Sequence, residues 1–267
     1  MLRPGAVTEL RGGWRVIVVM ALLLLCARVS GKTVGIAGVA GLSEVSVYGS
    51  PVVIAVADPG DAVVLVPSLA TGVLEDVLAT VDLMVIAQLD DERLGGGLRP
   101  GGRDLLARYV ETGGGLLVMG RGSSGGVSLL DRVFGWSLGP VRETGVATTT
   151  LVADGVLGGG PAEVAVDPSG LVKPWRVDEA GLISVYADRG WSGVVVGEIG
   201  DGRVGYVSMD TRLSALLGPE SLGVIERVSV YAAGAEPVVI PLPGSVWAGI
   251  VLLTGLVVYR WLRRQRH

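Results

Sequence analysis

The chain has 267 residues, 49% of them hydrophobic, and a formal net charge of −4 at pH 7. That supplies one core of ordinary size with small additions, and it excludes the basic footprint that nucleic acid requires. Cys26 is the only cysteine, so no internal disulfide can form and cysteine usage does not report a redox compartment.

The start of the chain is basic (Arg3, Arg11, Arg15) and runs into an apolar stretch at 16–27. About a dozen apolar residues is the length of a signal-peptide core and short for a spanning helix. Val29, Ser30 and Gly31 offer a cleavage point before Lys32. Residues 1–31 are therefore expected to be a signal peptide, or else an uncleaved signal anchor beginning near Trp14. Leu25 stands where a lipoprotein box needs a small residue ahead of Cys26, which argues against lipidation. Gly31-Lys32-Thr33 is not a phosphate loop, because the upstream glycine position holds Cys26.

Short β-rich pieces follow at 34–39, 45–48, 52–57 and 63–66, with Asp58-Pro59-Gly60-Asp61 as a turn. Residues 69–80 carry Val73, Leu74, Val77 and Leu78 at helical spacing and predict an amphipathic helix. Residues 83–87 are a short apolar run without alternation, which suits a strand covered on both faces. Pro100 suits a first helical turn. Leu105, Leu106, Tyr109 and Val110 then make one apolar face, with Asp104 and Arg108 expected to pair on the other. Gly113, Gly114 and Gly115 stop that helix, and 116–119 begin a second buried strand. The result is a βαβ unit, normally a right-handed crossover between parallel strands.

Residues 127–134 predict a helix with Trp136 packing near its end. Strands at 148–152, 162–166, 182–186, 194–198 and 203–209 follow, joined by tight turns. Asp167-Pro168-Ser169-Gly170 and Gly200-Asp201-Gly202 are the clearest turns. The last two strands are expected to form a hairpin closing one edge of the sheet, with a helix at 221–233 behind it.

Pro237, Pro241 and Pro243 mark a linker at 237–245. Residues 246–262 are apolar except for Thr254 and Arg260, about seventeen residues at the short end of a transmembrane helix. Trp247, Tyr259 and Trp261 lie near the ends of this run, and Arg263, Arg264 and Arg266 make 263–267 a basic tail that marks the cytoplasmic side. A buried C-terminal helix is the alternative, but the run has no polar face. The domain at 32–236 is then expected outside the cytoplasm, on a single-pass or two-pass chain according to the fate of residues 1–31. A glycolipid anchor does not fit a tail that ends in arginines.

The stretch 82–122, an aspartate before an apolar strand and then LLARYVETGGGLLVMG, resembles the class I glutamine amidotransferase-like superfamily. Within it the likeness is to the non-enzymatic, membrane-associated branch of archaeal and bacterial envelope proteins. GEIGDGRVGYVSMD at 197–210, followed by a helix, is a second point of likeness, with Asp210 in the place of an aspartate that follows the hairpin. The resemblance implies an α/β fold, an open, mostly parallel sheet flanked by helices (flavodoxin-like or amidotransferase-like), with an added antiparallel β-hairpin region and the C-terminal transmembrane helix. In the superfamily's enzymes a Gly-x-Cys-x-Gly turn after the second strand carries the nucleophile, with a later His and Glu. Here the matching turn reads Met119-Gly120-Arg121-Gly122, and the cysteine slot falls at about Gly120.

Gly122-Ser123-Ser124-Gly125-Gly126 formally fits Gly-x-Ser-x-Gly, with Ser124 as nucleophile. Such spacings arise by chance among 43 glycines, and the only histidine is His267, beyond the expected membrane segment. A Ser-His-acid triad therefore cannot assemble in the domain, and zinc lacks His and Cys ligands there. Asp90, Asp91 and Glu92 follow a strand end, as Asp58 and Asp210 are also expected to do. In a parallel sheet these ends would share one edge with the Arg121 turn, where open α/β sheets place ligands. Such carboxylates could take Ca²⁺ or Mg²⁺, or be solvated loop acids. Arg121 with the amides of 122–126 could hold an anion, or pair with one of the acids.

The function expected is that of a membrane-anchored, extracytoplasmic, non-catalytic binding or scaffold protein. Asp90, Asp91, Arg121, Gly122, Ser123, Ser124 and Asp210 are its ligand-binding candidates; no catalytic residue, metal or cofactor is expected. The partners expected are the lipid bilayer and envelope proteins or a small ligand. The alternative is a carboxylate- or metal-dependent hydrolase of the cell envelope.

Overall fold

The computed structural model describes residues 31–37, 51–87, 98–120, 125–139, 146–209 and 218–234. In chain order the first elements are β1 (Thr33–Ala37), α1 (Pro51–Val56), β2 (Ala62–Val66), α2 (Thr71–Leu78), β3 (Leu83–Ile86), α3 (Pro100–Glu111) and β4 (Gly115–Gly120). There follow α4 (Gly125–Phe134), β5 (Ala147–Leu151), β6 (Glu163–Val166), a 3₁₀ turn (Pro168–Gly170) and α5 (Pro174–Glu179). The last are β7 (Ile183–Asp188), β8 (Trp191–Ile199), β9 (Gly202–Ser208) and α6 (Pro219–Ala232).

One nine-stranded sheet runs in the order β2-β1-β3-β4-β9-β8-β7-β5-β6. The expectation of a mixed α/β sheet with helices holds, but the sheet is not mostly parallel. The pairings from β2 through β9 are parallel, and those from β9 through β6 are all antiparallel. Nor does the β8–β9 hairpin close an edge. β9 inserts beside β4, so the hairpin lies in the middle of the sheet.

Period-2 alternation sorts the parallel strands onto two apolar layers. Val34, Ile36, Leu83, Val85, Leu117, Met119 and Val207 face α1 and α6, where Val53, Val224, Ile225 and Val228 meet them. Met84, Ile86, Leu116, Val118 and Tyr206 face α2, α3 and α4, against Leu74, Leu106, Val110, Val127 and Leu130. Each fully buried Leu, Val, Ile or Met in these layers contributes about 1.5–3 kcal/mol. Every residue of β3 and β4 is buried, as their unbroken apolar runs require.

The antiparallel half curls instead of extending. A register shift on β7 around Tyr186 bends the ladder, and Gly193 on β8 lets it close. A Cβ at Gly193 would stand 2.9 Å from Val166 Cγ1 of β6 and 3.3 Å from Thr149 Cγ2 of β5. The curl returns the chain after β6 to the end of β9, where Asp167 N–H donates to Ser208 O at 2.8 Å.

Three local readings are corrected. Residues 52–57 are not a strand: Pro51 opens the helix α1, which buries Val53, Ala55 and Val56 and leaves Ile54 exposed. The helix α5, inside the region read as strands and turns, opens in the same way at Pro174. Asp104 and Arg108 do not pair; the ion pairs among the described residues are Lys32–Asp61, Asp188–Arg189 and Glu198–Arg203. Among the described residues no helix is long and apolar enough to cross a membrane. The N-terminal segment at 1–30, the strand read at 45–48, the linker at 237–245, the span at 246–262 and the tail at 263–267 lie outside the described residues.

Candidate functional site

The parallel register fixes where the candidate residues leave the sheet. β3, β4 and β9 are neighbours running in one direction, with Ile86 opposite Val118 and Gly120 opposite Ser208. Their C-terminal ends therefore form one continuous edge. From it leave the segments that carry Asp90 and Asp91 (88–97), Arg121, Gly122, Ser123 and Ser124 (121–124), and Asp210 (210–217). Those seven residues themselves lie outside the described residues. Asp58 does not join them. Because α1 is a helix, Asp58 begins the turn that enters β2, at the N-terminal end of the strands, where its backbone N–H binds the Asp61 carboxylate at 2.8 Å.

At the edge itself stands a buried polar cluster that the sequence reading took for a simple turn. The curl delivers Asp167-Pro168-Ser169-Gly170 onto the ends of β4 and β9, and all four residues are buried. Asp167 caps the 3₁₀ turn: its Oδ1 accepts from Ser169 N–H at 2.9 Å and from Ser169 Oγ. Ser208 Oγ donates to Asp167 O, and Tyr206 Oη donates to Gly170 O at 2.6 Å. Burial pushes the Tyr206 hydroxyl well above the usual phenol range; the Ser208 side chain offsets part of this and the Asp167 carboxylate adds to it. Tyr206 is thus a neutral, fixed hydrogen-bond donor at neutral pH.

This cluster fills the space beside Gly120. A Cβ built on Gly120 would collide with Tyr206 Oη and lie 2.9 Å from its Cζ. On the other side α4 packs its first turn onto the end of β4, so that a Cβ at Gly126 would lie 3.2 Å from Gly120 Cα and Met119 O. A side chain at Gly120 would have to displace the Tyr206 hydroxyl. Chemically, the described edge offers a buried carboxylate and hydroxyls bound to one another. Among the described residues no group of three or more His, Cys, Asp or Glu side chains could hold a metal ion. The sequence signals for this cluster were the Asp-Pro-Ser-Gly turn and a tyrosine inside an apolar strand; neither said that the two would meet.

No protein-family model matches the sequence, and the comparison with curated proteins gives no match. Solved structures do match. A cytoplasmic protein from Salmonella typhimurium LT2 is similar over 75% of this chain and 99% of its own, with 14% identity and a TM-score of 0.50. A ThuA-like protein from Bacteroides uniformis covers 77% of this chain and 93% of its own at 10% identity, with a TM-score of 0.47. What is shared with the first of these is the fold alone, helices on a mixed sheet.

Proposed function

We propose that this chain is a non-catalytic binding or scaffold protein of the cell envelope. In this reading the segment 246–262 anchors it, the domain stands outside the cytoplasm, and the edge formed by β3, β4 and β9 engages a small ligand or a protein partner. The observation that supports the non-catalytic part is that a side chain at Gly120, about where the resemblance puts the nucleophile, would collide with the Tyr206 hydroxyl. The sequence agrees: its one cysteine is Cys26 and its one histidine is His267, both outside the domain. Parallel strand ends are the usual place for ligands in such sheets, and the candidates Asp90, Asp91, Arg121 and Asp210 follow those ends.

The test is a thermal-shift screen of the full-length chain in detergent against Ca²⁺, Mg²⁺, nucleotides, sugars and inorganic anions, with ester, amide and glycoside hydrolysis assayed in parallel. Stabilisation by one of these, lost on Arg121→Ala or Asp90→Ala and unaccompanied by turnover, is the expected result. Turnover that requires a divalent metal and disappears with Asp90→Asn, Asp91→Asn or Asp210→Asn would replace this reading with the hydrolase alternative.

A further inference from the structure

We infer that Lys173, Trp175, Arg176 and Trp191 form a binding site for an acidic sugar chain of the uronic acid class. The site is assembled from two elements that meet past the end of β9. β8 runs antiparallel to β9 with Val194 opposite Val207, so Trp191 lies beyond Ser208. There the segment after the 3₁₀ turn becomes its neighbour. Val172 N–H donates to Ser192 O at 3.0 Å, and Ser192 N–H donates to Val172 O at 2.7 Å. The next residues on the two segments, Lys173 and Trp191, therefore stand side by side. Pro174 then turns the chain into α5, which carries Trp175 and Arg176.

The four side chains alternate cation with ring. Lys173 Nζ stands 5.7 Å from the centre of the Trp191 ring and 6.0 Å from that of Trp175. Arg176 Cζ stands 4.3 Å from the Trp175 ring. Each contact sets a positive group against the negative face of an indole. Trp191 is half-buried and packs on the core, whereas Trp175 is 49% exposed and Lys173 is exposed. Arg176 also lies near Asp131, whose carboxylate accepts from Leu138 N–H. Two cations and two indoles are thus placed before anything binds, which removes part of the ordering cost of binding.

The chemistry selects the ligand. Neighbouring cations call for repeated negative charge. Open indole faces suit a ring whose C–H bonds point at them, as on one face of a pyranose, because those hydrogens carry slight positive charge. A chain of uronic acids offers both. A protein partner fits less well, since the dry centre of such an interface excludes lysine, and here Lys173 borders both rings. Nor does α5 add exposed aliphatic surface: its other exposed residues are Asp178 and Glu179, which confine an anion to the Lys173 side of Trp175. A bilayer would approach from elsewhere. α6 ends with Ala232 O against Gly115, the first residue of β4, at the opposite edge of the sheet. With 246–262 as the anchor, as proposed above, the membrane is reached from that edge.

The test is calorimetry of the full-length chain in detergent with three polymers. These are polygalacturonate, its methyl ester (the same backbone without the charge) and polyglutamate (the charge without the sugar). Polygalacturonate is expected to bind, more weakly as salt rises, and the other two at least about tenfold more weakly. Trp175→Ala should lower the affinity about tenfold, the effect of an anchoring residue, while Trp175→Phe, which keeps a ring face, loses less. Lys173→Gln should remove the preference over the methyl ester. Arg121→Ala should change nothing here, so failure of this site is distinguishable from failure of the strand-end candidates. No binding of polygalacturonate, or an unchanged affinity in Trp175→Ala, overturns the proposal. Polyglutamate binding as tightly as polygalacturonate also overturns it and assigns the patch to an acidic peptide. Should Trp175→Ala lose its thermal transition, the Lys173→Gln comparison decides.

Discussion

In the parallel half of the sheet, β1, β3 and β4 are four to six residues long and almost wholly buried, sealed above and below by helices. In the antiparallel half, the outer strands β5, β6 and β7 mix exposed with buried positions, and the core is closed by curling the sheet onto itself. The same backbone ladder is thus stabilised in two ways, by a helical sandwich on one side and by strand-on-strand closure on the other. The difference shows where glycine is required. At Gly115 the backbone of α6 comes against the strand, at Ala232 O; at Gly193, inside the curl, the side chain of Val166 does. β9 belongs to both halves, and its two ends are where the comparison can be broken.

The largest effect is expected at Gly202, the first residue of β9. A Cβ there would run into Val110 O and Gly114 O, both main chain, which cannot swing aside. Gly202→Ala should cost more than ~3 kcal/mol in urea unfolding, since overpacking against fixed atoms sits at the upper end of its range. A cost below about 1 kcal/mol would mean that the junction yields, and the two halves are less rigidly coupled than the geometry requires.

A smaller and more informative effect is expected at the other end. Gly120→Ala meets a side chain, the Tyr206 hydroxyl, and should cost about 1–3 kcal/mol. Tyr206→Phe alone leaves Gly170 O buried without its donor, at about 1–2 kcal/mol. Together the two should cost less than their sum, because the second removes the atom that obstructs the first. Strict additivity in the double-mutant cycle would show that Tyr206 does not fill the slot.

The smallest effect lies in the helical layer. Burial raises the Asp131 carboxyl above the usual carboxylate range, offset in part by the Leu138 and Gly139 N–H groups and by Arg176. The folded state then holds that proton more tightly than the unfolded chain. Its contribution to stability is present below the ordinary carboxylate pKa and is lost as pH rises through the raised folded value. Asp131→Asn keeps an acceptor for Leu138 N–H, which binds Asp131 Oδ1 at 2.9 Å. It should flatten this part of the pH profile and gain less than about 1 kcal/mol at neutral pH. Unfolding midpoints at pH 4 and pH 7 check this, and an unchanged slope refutes it.

The parallel half was the more legible in sequence. Buried parallel strands announce themselves as unbroken apolar runs, and 83–87 and 116–119 were read within a residue or two. The same rule misled at 52–57, since a run such as VVIAVA has no period that separates strand from helix. Pro51 was the better signal: α1, α3, α5 and α6 all begin on a proline. The place of the β8–β9 hairpin could not be read locally, because a turn fixes which strands pair with each other and not what lies beyond them. Even so, β8 and β9 carry long apolar stretches, a sign of strands with neighbours on both sides. The site was half legible. Parallel pairing brings the ends of β3, β4 and β9 together as anticipated, but the Asp167–Ser208 cluster depends on a curl that no short window of sequence encodes.

The central position of β9 also orders the making of the protein. β9 is the last strand among the described residues and yet lies between β4 and β8. A nascent chain that has emerged only to Ile199 holds the eight earlier strands of the described residues in two groups, and β4 still lacks β9 as its neighbour. The sheet of the described residues is complete only once residues 202–208 leave the ribosome, and the contacts they close reach back to β4, far earlier in sequence. Assembly therefore waits on one late insertion, and until it happens two apolar strand edges stand open to the folding machinery of the cell.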